Sequence, residues 1–151
     1  MTDQSDLIKL YSGRILALAA DIPHLGRLDS PQASVRKRSP LCGSTVTVDL
    51  DLHEGRVARF AQDVKACALG QAAAAVTGAA VIGRTPAELA QAAQALAAML
   101  TAGGPVPAAP FDGFEALLPA RDFRNRHASI LLAVQAAAEA AETAARAQAP
   151  A

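Results

Sequence analysis

Val46, Val48, Leu50 and Leu52 are apolar, and Thr45, Thr47, Asp49 and Asp51 between them are polar. A period of two puts the two sets on opposite faces of an extended chain, so this stretch predicts a half-buried strand. His53-Glu54-Gly55 supplies a tight turn, and Val57 to Val64 reads as the returning strand. Ala33 to Arg38 predicts a short, polar edge strand. Earlier, Leu7, Ile8, Leu10, Ile15, Leu16 and Leu18 recur at helical spacing, which predicts an amphipathic helix from Ser5 to Ala20. Asp21-Ile22-Pro23-His24-Leu25-Gly26 breaks it.

The second half of the chain reads as helices. Cys67 to Ile82 is built of Ala, Leu and Val with Gly70 and Gly78, small residues that let a helix lie close to a sheet. Gly83-Arg84-Thr85-Pro86-Ala87-Glu88 stops it and starts the next. Thr85 is a good N-cap, Pro86 suits the first helical position and Glu88 completes a capping box. That helix is predicted to reach Leu100. Gly103 to Pro110 forms a flexible connection, a short helical turn follows at Phe114 to Leu118, and a last helix spans Arg126 to Ala147. Gln148 to Ala151 is expected to fray. The expected fold is α+β: a small antiparallel sheet of two or three strands with helices packed on one face, as a single domain over residues 1–147.

Composition narrows the function. The chain has 151 residues, enough for a proper core. Alanine makes up about a quarter of them, a bias that favours helix and resembles the chains of GC-rich bacteria. Fourteen basic residues balance fourteen acidic ones, which argues against a nucleic-acid partner. Basic residues gather locally at Arg36, Lys37 and Arg38 and at Arg121, Arg124 and Arg126, either as solvated surface or as a docking patch for an acidic partner. Met1 to Asp6 is polar and acidic, unlike a secretory leader, and no apolar run reaches the ~18 residues of a membrane span. A cytoplasmic protein is therefore expected, and in that reducing compartment two cysteines point to metal or sulfur chemistry instead of a disulfide.

Cys42 lies in Pro40-Leu41-Cys42-Gly43-Ser44 at the opening of a strand-like run, and Cys67 starts a helix. A helix N-terminus favours the thiolate of Cys67. His127, at the start of the last helix, is expected to stay neutral, the form that binds metal. Thiolate and imidazole are soft enough to hold zinc or an iron–sulfur cluster. Cys42, Cys67 and His127 are thus the candidate cofactor and metal ligands, with Ser44 as a further candidate. His53 and His24 read as solvated and loop-packing residues. No Ser/His/Asp constellation or carboxylate pair suggests an enzyme.

These segments resemble the U-type iron–sulfur cluster scaffold family, shared by IscU, SufU and the N-terminal domain of NifU. The resemblance runs from Tyr11 to Ala140. Pro40-Leu41-Cys42-Gly43-Ser44 is similar to the family's Pro-x-Cys-Gly-Asp, and Ala66-Cys67-Ala68 to its second ligand segment. Gly83-Arg84-Thr85-Pro86-Ala87-Glu88 is similar to Gly-Lys-Ser-x-x-Glu, and His127-Ala128-Ser129-Ile130-Leu131 to His-Cys-Ser-Ile-Leu. The family's third cysteine falls on Ala128 or, with a slip of one, on His127, and its aspartate is Ser44. Leu-Pro-Pro-Val-Lys, the chaperone motif of IscU, is absent, and the stretch from Glu88 to His127 has the longer form of SufU-type proteins.

The resemblance implies a SufE/NifU-like fold. It also implies a scaffold that holds iron, zinc or a labile cluster, of 2Fe–2S type, for transfer to client apo-proteins, with a cysteine desulfurase as sulfur source. The alternatives are a SufU-like, zinc-dependent sulfur acceptor with Cys42 taking the persulfide, or a degenerate regulatory paralogue without a cluster. Oligomeric state is not legible in the sequence.

Overall fold

The computed structural model describes residues 11–148. Its elements, in chain order, are α1 (Gly13–Ala19), β1 (Ala33–Arg38), β2 (Thr45–His53), β3 (Arg56–Lys65), α2 (Ala68–Ala80), α3 (Pro86–Thr101), a run of 3-10 turns (Asp112–Asp122) and α4 (Arg124–Gln148). The sequence predicts each of them. The first half of the expected first helix, Ser5 to Leu10, lies outside the described residues, as does 149–151 of the expected frayed tail. Gln148 is still helical, and its side-chain amide donates to the Leu52 carbonyl at 3.3 Å.

The sheet is antiparallel in the order β1-β2-β3, with Val48 paired to Val35 on one side and to Gln62 on the other. Glu54 and Gly55 have φ of 52° and 78°, so the β2–β3 connection is a two-residue turn with both centres left-handed, the form that matches strand twist. Val46, Val48, Leu50 and Leu52 are all buried on the helix-covered face, as their alternation requires. Among the described residues no helix is long and apolar enough to cross a membrane.

Part of the alanine bias has its explanation in α4. This 25-residue helix packs on β1, β2, α2 and α3 at once. Ala133, Ala136, Ala137, Ala140, Ala141 and Ala144 are buried along it. A helix surrounded by partners has no room for bulky side chains on every side, and methyl groups let it approach all of them closely. The capping box forms as predicted: Thr85 Oγ1 accepts from the Glu88 amide at 3.1 Å, and Glu88 Oε1 accepts from the Thr85 amide at 3.0 Å.

Asp49 breaks the alternation. By register it belongs to the polar face, yet it is fully buried because the loop after α1 folds over it. Arg27 Nε and the Leu28 amide donate to its Oδ2 at 2.7 and 3.0 Å, and Ser34 Oγ donates to Oδ1 at 2.6 Å. Of the local basic runs, Lys37 pairs with Glu139 across to α4 at 3.0 Å, while Arg121 ties the end of α3 to the following connection through Met99 and Gly104 carbonyls.

Candidate metal and sulfur site

The β1–β2 connection builds one half of the site. Its ends are closed by two backbone hydrogen bonds, from the Ser39 amide to the Ser44 carbonyl at 2.8 Å and from the Gly43 amide to the Ser39 carbonyl at 3.0 Å. Between them Pro40, Leu41, Cys42 and Gly43 form an exposed loop, with Gly43 at φ 72°, a left-handed position that glycine adopts without strain. Cys42 is therefore a loop-tip residue and not the first residue of a strand, because the ladder starts at Thr45. Leu41 beside it is 74 % exposed.

Ser39 and Ser44 sit beneath that loop, 0 % and 5 % exposed, and both turn their hydroxyls to the sulfur. Cys42 Sγ is 3.3 Å from Ser39 Oγ and 3.2 Å from Ser44 Oγ. These contacts stabilise the thiolate. The Ser39 hydroxyl, then the hydroxyl and backbone amide of Ser44, bring the Cys42 pKa from 9.0 to about 6, against the small opposing effect of burial.

α2 and α4 build the other half. Cys67 is the N-cap of α2, as predicted, half-buried, with its Sγ 3.5 Å from Ser129 Oγ. Ser129 Oγ in turn donates to Ser44 Oγ at 3.1 Å. The two cysteines are thus joined by two buried hydroxyls, Cys67–Ser129–Ser44–Cys42. Gly70 makes this possible: a Cβ there would lie 2.7 Å from Ser129 Oγ and 2.8 Å from Ala66 Cβ.

His127 is not part of this chain of contacts. The residue is 7 % exposed, and its Nε2 lies 2.9 and 3.1 Å from the carbonyls of Ala120 and Arg121. The cause is helical geometry. Two residues along an α-helix turn the side-chain direction by roughly 200°, so once Ser129 faces the cysteines His127 faces away. Ala128 lines the same cleft as His127, with Leu100, Thr101 and Leu131. Among the described residues no three of His, Cys, Asp and Glu gather as a metal cage. Sequence reading missed Ser39 and Ser129. The signal for Ser129 was a lone polar residue in the apolar run Ala128 to Val134.

The chain is 41 % identical to a nitrogen-fixing NifU-like protein (N-terminal) from Brucella abortus, over 95 % of this chain and 99 % of that one, with a TM-score of 0.91. A hypothetical protein of known structure is 25 % identical over 88 % of this chain and 97 % of its own, at a TM-score of 0.78. The fold is also that of a candidate iron–sulfur cluster assembly scaffold protein for the SUF system from Fervidobacterium islandicum AW-1, 18 % identical over 87 % and 96 % of the two chains, with a TM-score of 0.77. No protein-family model and no curated protein matches the chain.

Proposed function

Because this chain belongs to the family of NifU-like N-terminal domains, the U-type iron–sulfur cluster scaffolds, we propose that it carries iron and sulfide, as a labile cluster, on Cys42 and Cys67 and passes them to client apo-proteins. The observation that carries this reading is the opposed pair of thiols across two buried hydroxyls. Donor chemistry fits such a cargo. Thiolates share charge with ferric iron, hydroxyl oxygens are weaker partners, and a set poor in thiolate favours release over retention. The exposed loop of Cys42 gives a client a way in.

A cysteine desulfurase is the proposed sulfur source. The lowered pKa of exposed Cys42 also favours a second reading, a sulfur acceptor. In that reaction the Cys42 thiolate attacks the terminal sulfur of a protein persulfide, R–S–SH. A Cys42–S–SH bond forms, the donor's S–S bond breaks and R–S⁻ leaves with the electron pair.

Anaerobic reconstitution with ferrous iron, a desulfurase and cysteine tests both. A scaffold develops visible charge-transfer absorbance that Cys67→Ser abolishes. A sulfur acceptor instead gains one sulfur atom in mass on the Cys42 peptide, with no such absorbance. Neither signal would leave the regulatory paralogue as the reading to prefer.

A further inference from the structure

The two edges of the sheet differ. Along the outer side of β3 the backbone groups are taken. Gln62 bonds to His24 and Gly26 at 2.9 Å each, and Val57 bonds to Arg84 and Gly83 at 2.9 and 2.8 Å. β1 forms the other edge, and among the described residues no backbone group of 34–38 bonds to anything beyond β2. The loop after β1 tells which groups are left over. The Ser39 amide donates to the Ser44 carbonyl of the neighbouring chain, and direction alternates along a strand, so Val35 and Lys37 also face β2. Arg36 and Arg38 therefore turn their N–H and C=O to the open edge.

The same two residues carry unpaired charge. Val35 packs against the core and Lys37 pairs with Glu139 of α4, so both side chains lie on the helix-covered face. Arg36 and Arg38 alternate with them, are exposed on the opposite face, and form no ion pair among the described residues. Asp63 on β3 shares that face but is set apart from Arg36 by Thr47. Cations on an edge strand keep a second copy away, because antiparallel pairing of two such edges sets arginine opposite arginine. Charges that reject a copy attract a segment of opposite sign.

We infer that β1 is a docking edge for an extended, acidic segment of a partner protein, which adds as a further strand with carboxylates at alternate positions. Two residues of that segment exchange backbone hydrogen bonds with Arg36 and Arg38, and their carboxylates stand beside the two guanidinium groups. They are two residues apart, because successive side chains on a strand take opposite faces. Antiparallel addition, the direction of the whole sheet, carries the partner chain N-terminal to these carboxylates past Arg38 toward the Cys42 loop. Arg38 already borders that loop, its Nη2 being 3.9 Å from where a Cβ on Gly43 would stand. Docking at this edge does not depend on what Cys42 carries.

Fluorescence polarisation with a labelled Thr-Glu-Val-Glu-Val-Thr peptide and the full chain tests this. Saturable binding is expected, weakening severalfold between about 50 and 300 mM sodium chloride as the charges are screened. Arg36→Glu combined with Arg38→Glu should weaken it at least about tenfold, since two attractive cross-strand pairs become repulsive, and should turn the preference to Thr-Lys-Val-Lys-Val-Thr. N-methylation of the two glutamate amides, which face β1, should abolish binding, whereas N-methylation of the two valine amides should not. Amide hydrogen exchange should slow at Arg36 and Arg38 on peptide binding and stay unchanged at Val35 and Lys37. Far-UV circular dichroism checks that the variant is folded.

Absence of saturable binding would overturn the inference. So would equal loss from both N-methylated peptides, or a charge-reversed chain that binds the glutamate peptide as wild type does. If the cations serve only to hold copies apart, wild type ignores every peptide and Arg36→Thr combined with Arg38→Thr dimerises. Each of these results leaves the scaffold reading standing, because cluster uptake on Cys42 and Cys67 is measured separately.

Discussion

The ionisation of Cys42 is the sharpest prediction for solution chemistry. Its pKa of about 6 against an ordinary 9.0 rests mainly on Ser39 and Ser44. At pH 7 an ordinary thiol of that kind is about 1 % thiolate, and Cys42 about 90 %. The rate gain is far smaller than this ratio, because nucleophilicity falls with pKa at a Brønsted slope of about 0.4–0.5. At that slope the weaker basicity of Cys42 costs roughly twentyfold in intrinsic reactivity, leaving it about fourfold faster than an ordinary thiol at pH 7. The shape of the profile is more telling than its height. Between pH 7 and 9 an ordinary thiol gains about fiftyfold in thiolate, whereas Cys42 should be nearly flat.

Iodoacetamide labelling across pH 4.5–9.5, read by mass spectrometry on the Cys42 peptide alone, measures this. Ser39→Ala and Ser44→Ala should each move the midpoint upward, with Ser39→Ala moving it further. A wild-type rate still climbing steeply between pH 7 and 9 would refute the reasoning. So would a midpoint near 6 that survives both substitutions.

Gly70→Ala should destabilise the protein by about 1–3 kcal/mol in urea unfolding, since the added methyl meets Ser129 Oγ and Ala66 Cβ well inside contact distance. Thr85→Ala should cost about 1 kcal/mol by the same measurement, through loss of the α3 cap. Asp49→Ala should cost about 1–3 kcal/mol, because Leu28 N–H and Ser34 O–H lose their buried acceptor. The same carboxylate gives a pH signature. Burial opposes its ionisation, but hydrogen bonds from Arg27, Ser34 and Leu28 outweigh burial and lower its pKa below 3.8. The unfolded chain therefore takes up the proton first, so the stabilisation is present above about pH 4 and is lost as pH falls through the folded value. Urea midpoints between pH 6 and 2 should fall more steeply in wild type than in Asp49→Asn, and parallel slopes would count against this ion pair.

Local information in the sequence determined the elements, because their causes are local. Alternation from Thr45 to Leu52 needs one covered sheet face, Glu54-Gly55 can take the left-handed pair of a hairpin turn, and Thr85-Pro86-Ala87-Glu88 closes a capping box within four residues. The two cysteine contexts, Pro-x-Cys-Gly and Ala-Cys, together with the Gly83–Glu88 and His127–Leu131 segments in the same order, were likewise enough to recognise the family.

The composition of the site was decided in three dimensions. Which of His127, Ala128 and Ser129 faces the cysteines depends on how α4 is rotated about its axis. That rotation goes with the alanines buried along α4 and with the close approach at Gly70, residues outside the motif in sequence. A shift of one residue turns a helix by about 100°, so matching letters along the chain names the helix but does not fix which of its residues faces the cysteines. Asp49 and Ser39 show the same limit. Each is polar in a strand or loop pattern that implies solvent, and each is buried because another segment, the distant Arg27 loop over Asp49 or the adjoining cysteine loop over Ser39, folds over it and supplies the hydrogen bonds that burial demands.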